Sequence, residues 1–137
     1  MSKAIKFIDN VYLDSDSVVF KKQKLTDILT FSLKEQIIGK WVNGKPLYRK
    51  TIEIGALPNA TYKSIAHNIA NISSVVRIYG YASNGTNFMP LPFINPAGIQ
   101  YCINLYANKT TINVETAMDR SSYNVVYATI EYVKSTD

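Results

Sequence analysis

The sequence predicts an all-β fold, an antiparallel β-sandwich of jelly-roll type. Three observations carry that expectation. Apolar and polar residues alternate with period two along most of the chain, turn signals recur between the alternating runs, and ten tyrosines in 137 residues suit half-buried strands. With 47% apolar and 18% charged residues, the chain has the makings of a packed core rather than of a disordered segment.

The elements follow in order. Residues 1–33 read as an N-terminal arm: "AIKFIDNVYLDSDSVVF" alternates loosely through Ile5, Phe7, Val11 and Leu13, and its Asp, Asn and Ser clusters mark turns. "KLTDILTFSLKEQ" has room for up to two helical turns, since Leu25, Ile28 and Leu29 have helical spacing and Ser32 with Glu35 has that of a capping box. Residues 34–137 read as one head domain of seven or eight strands. "IIGKWV" and "PLYRKTIEI" flank Asn43-Gly44, which predicts a hairpin closed by a type I′ turn, with Pro46 at a strand start or on an edge. "YKSIAHNIANI" puts Ile65, His67 and Ile69 on one strand face, and "SVVRIYGYAS" is a further strand closed by "SNGTN". The proline-rich "PLPFINPAG" cannot be a central strand. "IQYCINLYA" then turns at "NKT" into "TINVETA". In the last strand Tyr123, Val125, Tyr127 and Thr129 alternate with Asn124, Val126, Ala128 and Ile130.

Few motifs carry chemistry. His67 is the only histidine, no nucleophile elbow such as G-x-S-x-G occurs, and no second histidine or cysteine cluster offers a metal set, so it reads as a satisfied structural residue. Cys102 is the only cysteine and reads as a buried structural thiol. The carboxylates are scattered through strands and turns, and no glycine-rich loop links a strand to a helix. The expectation is therefore a protein that is not an enzyme and has no catalytic residues, metal or cofactor. The net charge of +5 is spread out, which suits solubility or attraction to anionic glycans better than nucleic-acid recognition. No apolar run reaches the roughly 20 residues of a membrane span, and "MSKAIKFIDN" lacks the pattern of a signal peptide. Synthesis in a cytoplasm without membrane insertion is expected. "NAT", "NIS", "NGT" and "NKT" read as turns. Asp119 and Arg120 fall at a hairpin end, where Asp119 would satisfy loop amides and Arg120 would pair with a carboxylate or a ligand.

Four blocks, "GKWVNGKPLYRKTI", "LPN", "IAHNIANI" and "DRSSYNVVYATIEYVKSTD", resemble in order and spacing a module at the C-terminal end of phage and prophage tail-fibre and minor structural proteins. The likeness covers residues 31 to 137; in much of that family the third block reads histidine-glycine where Asn68 follows His67 here. The resemblance implies a non-catalytic tip or receptor-binding domain of a virion, homotrimeric, contacting a host cell-surface polysaccharide. Its arm would hold other tail or baseplate proteins.

Sugars present apolar C–H faces and many hydroxyls, which flat aromatics and short polar side chains suit. The candidate ligand-binding residues are Trp41, Tyr48, Tyr79, Tyr81 and Tyr106, with Asn84, Asn87, Asp119 and Arg120 as hydrogen-bonding partners. Two other readings remain: a purely structural tail, collar or adaptor protein, and a depolymerase with its site between subunits.

Overall fold

The computed structural model describes residues 30–137, preceded by two short paired strands, β1 (Ile5–Lys6) and β2 (Tyr12–Leu13). The helical turns expected at Leu25, Ile28 and Leu29 lie outside the described residues, as does most of the arm. Ser32 and Glu35 lie inside them and form no capping box. Ser32 Oγ accepts the Lys34 N–H, and the chain bends directly into a strand.

The body is all-β, with two antiparallel sheets. The larger runs, in spatial order, β3 (Gln36–Lys40), β4 (Pro46–Glu53), β10 (Val125–Lys134), β6 (Ile72–Ser83) and β7 (Phe88–Leu91). The smaller runs β5 (Tyr62–Ala66), β9 (Thr111–Thr116) and β8 (Ile103–Ala107). These are eight strands, within the seven or eight expected. The helical content among the described residues is one 3₁₀ turn, Ile99–Tyr101, where the sequence suggested continuous strand. Pro90 sits in β7, an edge strand, where its missing N–H breaks no internal ladder.

Strand β10 organises the core. Val126, Ala128, Ile130 and Tyr132 are each at most 1% exposed and share one apolar cluster with Ile103, Leu105, Ile112 and Val114 of the smaller sheet. The alternate residues Tyr127, Thr129 and Glu131 face the other way. This is the period-two pattern of a strand with one face on a core. Opposite β10, Gly80 is required by close approach: a Cβ there would lie 2.3 Å from the Tyr127 carbonyl oxygen.

Tyr132 fixes the end of β10. Its ring stacks on Tyr48 at 5.6 Å, and its hydroxyl donates to Glu35, which also pairs with Lys134 at 2.7 Å. Burial, and then the Glu35 carboxylate, push the Tyr132 phenol far above its usual range, so it stays a neutral donor.

The β3–β4 hairpin is present, but its turn differs from the type I′ expected. Trp41 accepts the Gly44 N–H and donates to the Lys45 carbonyl, and of the three loop residues Val42, Asn43 and Gly44 the positive φ belongs to Gly44 alone, at 82°. That is a three-residue loop, a type I turn followed by a left-handed glycine. Asn43 instead contributes its side-chain oxygen, which accepts the Lys45 N–H.

His67 is 1% exposed and lies just past the end of β5 rather than within it. Its Nδ1 accepts the Ile69 N–H at 3.1 Å and its Nε2 lies 3.2 Å from the Asn108 carbonyl, which assigns the neutral Nε2–H form. It is a satisfied structural histidine, as expected. The loop turns back at Asn68, whose φ is +51°, and Lys50 Nζ caps the His67 carbonyl at 2.8 Å. The position thus needs the left-handed conformation that glycine enters freely and asparagine tolerates. Replacing Asn68 by Val is expected to destabilise the fold by about 1–2 kcal/mol, whereas Asn68→Gly stays near neutral, read as denaturant midpoints at unchanged slope.

Candidate functional site

The outward face of the larger sheet carries the candidate site. Register places its side chains in rows across the strands. Arg49, Glu131 and Arg77 form one row, Thr51, Thr129 and Tyr79 the next, and Glu53, Tyr127, Tyr81 and Pro90 the third. Between the rows lies a trough of 390 Å³ with Phe31, Tyr79, Tyr81 and Tyr127 as walls and Thr51 and Thr129 in its floor. The threonine hydroxyls bond to each other at 2.9 Å, and the Tyr81 and Tyr127 rings lie 6.1 Å apart at 29°. Aromatic planes beside short hydroxyl side chains make a surface that accepts an apolar face and its polar rim together.

One wall comes from the segment that leads into β3. Arg49 Nη2 donates to the Thr30 carbonyl at 2.8 Å, its guanidinium stacks 4.3 Å over the Phe31 ring, and the Thr51 N–H donates to the Ser32 carbonyl. Phe31 in turn meets Tyr79 edge-on at 6.5 Å. Residues 30–32 are thereby strapped across the sheet, and Arg49 is only 7% exposed. Tyr79 is held on its other side by Arg77, 4.3 Å over its ring, and its hydroxyl donates to Glu131. Partial burial, and next the Glu131 charge, raise its phenol above the usual range.

The sequence-predicted residues divide by what their polar atoms already do. Tyr79 and Tyr81 come together in the trough. Asn84 and Asn87 sit at the β6–β7 hairpin end of the same sheet, where Asn84 Oδ1 accepts the Thr86 and Asn87 N–H groups and so closes the turn. Tyr48 is not available to a ligand: it is 9% exposed, packed on Tyr132, and its hydroxyl donates to Asp137. Trp41 starts the β3–β4 loop, 37% exposed, and lines neither the trough nor the cleft described below. Tyr106 lies on the smaller sheet, separate from the trough. Asp119 satisfies loop groups as expected, accepting the Ser121 N–H and hydroxyl. Arg120, expected to pair with a carboxylate or a ligand, forms no ion pair among the described residues; its Nη2 donates to the Tyr101 carbonyl at 3.0 Å. Cys102 is half-buried rather than buried, because it caps the 3₁₀ turn instead of standing in a strand.

Phe31 and Tyr127 belong to the trough but were not singled out from the sequence. Tyr127 was legible as one row of an alternating strand, whereas Phe31 reaches the site through Arg49, 18 positions away, a contact no local pattern encodes. Among the described residues, no group of three or more His, Cys, Asp or Glu side chains gathers to hold a metal ion, and no helix is long and apolar enough to cross a membrane.

Comparisons with protein-family models, with curated proteins and with solved structures find no match for this chain.

The Asp119 turn has a pH signature. Two hydrogen bonds from Ser121 stabilise the carboxylate and hold its pKa below the ordinary aspartate value of 3.8. The contribution is fully present above that value and is lost as the pH falls through the lower, folded-state pKa. The Ser121 amide resonance is expected to titrate with a midpoint below 3.8, and Asp119→Asn to abolish that titration.

Proposed function

We propose that this protein is a non-catalytic receptor-binding or tip domain of a phage tail fibre, contacting a host-surface glycan through the outward face of its larger sheet. The observation that carries this reading is the trough itself: the Tyr81 and Tyr127 hydroxyls make no hydrogen bond among the described residues, and their rings stand beside the Thr51–Thr129 hydroxyl pair. A pyranose stacks its C–H face on such rings and turns its hydroxyls to the rim. The resemblance of residues 31 to 137 to phage tail modules supports the same reading.

In this proposal the two sheets pack as a jelly-roll sandwich, and three copies assemble about a three-fold axis. The exposed apolar side chains around β3 support assembly, because Leu33, Ile37 and Val42 stand 56%, 52% and 89% exposed at one end of the larger sheet, the kind of surface that closed symmetry covers. Linked sites gain roughly 10²–10⁴ in avidity over one shallow sugar site. The arm contacts other tail or baseplate proteins, and the protein belongs to the virion after synthesis in the host cytoplasm.

The structural-component reading has one observation in its favour. The strap at residues 30–32 makes a trough wall, so the same face is suited to seating a neighbouring tail protein.

Binding of the purified protein to extracted host-wall polysaccharide separates the two. Saturable binding is expected, weakened about tenfold by Tyr81→Ala, the loss of roughly 1.4 kcal/mol from one aromatic anchor. Trp41→Ala is expected to leave it unchanged. Tight capture of a tail protein without polysaccharide binding would favour the structural component instead. Sedimentation is expected to give a trimer at micromolar concentration; a stable monomer would remove the avidity account.

A further inference from the structure

The smaller sheet presents a second face with different chemistry. Register aligns Tyr62, Glu115 and Asn104 in one row, and Ser64, Asn113 and Tyr106 in the next. Asn113 is 3% exposed and its side chain is spent on Ser64 and Thr111. By contrast, the side chains of Tyr62, Asn104, Tyr106 and Glu115 are exposed and make no hydrogen bond or ion pair among the described residues.

Asn104 and Glu115 also form one wall of a cleft of 580 Å³, whose opposite side is apolar, built by Phe93, Ile94 and Ile99. Ile94 and Ile99 stand 81% and 86% exposed at its rim. The cleft has fixed walls. Phe93 and Ile103 exchange a pair of backbone hydrogen bonds, and Arg120 holds the 3₁₀ turn that carries Ile99 by donating to Tyr101. The loop is therefore pinned to the sheet on both sides of the opening.

Resting on the glycan-binding reading above, we infer that this cleft is a second, independent sugar subsite, taking a neutral pyranose. The apolar wall matches the C–H face of such a ring. The Glu115 carboxylate is an acceptor for hydroxyls, and the Asn104 amide supplies both a donor and an acceptor. Bonds to an ionised acceptor are roughly twice as strong as neutral ones, so Glu115 dominates orientation. The same carboxylate repels an anionic sugar, which gives the subsite a charge selectivity that the tyrosine-lined trough lacks. Tyr62 and Tyr106 lie beyond it on the sheet, placed for the next units of a chain.

The test is a set of titrations of the full isotope-labelled protein with the methyl glycosides of glucose, galactose and N-acetylglucosamine, with glucuronic acid as the anionic control. At least one neutral glycoside is expected to shift the Ile99, Asn104 and Glu115 amides with millimolar saturation, while glucuronic acid leaves them in place. Glu115→Gln is expected to lower the neutral affinity about tenfold and to admit glucuronic acid. Asn104→Ala, which removes no charge, should weaken the neutral sugar without admitting the anionic one. Silence of these amides with every neutral glycoside overturns the inference, as does an equal response to glucuronic acid or a Glu115→Gln variant with unchanged affinity. The Tyr81 and Tyr127 amides report the trough in the same spectra. Movement there alone leaves the proposed function standing and removes the cleft; movement at the cleft alone does the reverse.

Discussion

The register of β10 is the constraint on which the rest of this structure depends. The strand pairs with β4 on one side and β6 on the other, so it sets the facing of three strands at once. A slip of one residue would send Val126, Ala128, Ile130 and Tyr132 outward and bring Tyr127, Thr129 and Glu131 into the core. Two local features oppose that slip. Gly80 allows an approach to β10 that no side chain would permit, and Tyr132 is clasped by Glu35 at one end while stacking on Tyr48. The core and the outward aromatic face are thus two consequences of the same pairing.

Polar residues on the outward sheet faces and those at the turns and in the core differ in whether their hydrogen-bonding capacity is already used. Asn84, Asp119 and Arg120 each bond to backbone groups near chain turns, and Tyr48 and Tyr132 each donate to a carboxylate. These bonds already use the hydrogen-bonding capacity of the groups that make them. A ligand would have to break them. Tyr81, Tyr127, Tyr62, Asn104 and Glu115 carry no such cost, and they gather on the two outward sheet faces. Arg120 holds the turn that carries Ile99.

Much of the fold was legible in the sequence. The alternation of the last strand, with Tyr127 and Thr129 in one row and Val126, Ala128 and Ile130 in the other, is the one the structure has. The structural role of His67 was legible too, although it lies just past the end of β5 rather than within a strand. The all-β class with two antiparallel sheets followed from the same periodicity. What periodicity could not supply was which tyrosines face the core. Tyrosine occurs in both rows, buried as Tyr48 and Tyr132 and outward as Tyr79, Tyr81 and Tyr127. Alternation sorts residues into rows; long-range pairing decides which row is inside. The β3–β4 turn shows a second limit. Asn43-Gly44 located the hairpin, but the loop took three residues and a single left-handed glycine instead of a two-residue turn. The strap at Phe31 depends on a buried arginine partner far along the chain, and nothing near residue 31 announces it.

On the proposal above, the outward aromatic face of the larger sheet is where this protein meets a host glycan. Chemical footprinting of its tyrosines, free and bound to host-wall polysaccharide, tests that most directly, because ten tyrosines report both faces and the core in one experiment. Tyr81 and Tyr127 are expected to react in the free protein and to be protected in the complex, with Tyr48 and Tyr132 unreactive throughout. Polysaccharide binding that leaves Tyr81 and Tyr127 as reactive as before would contradict it.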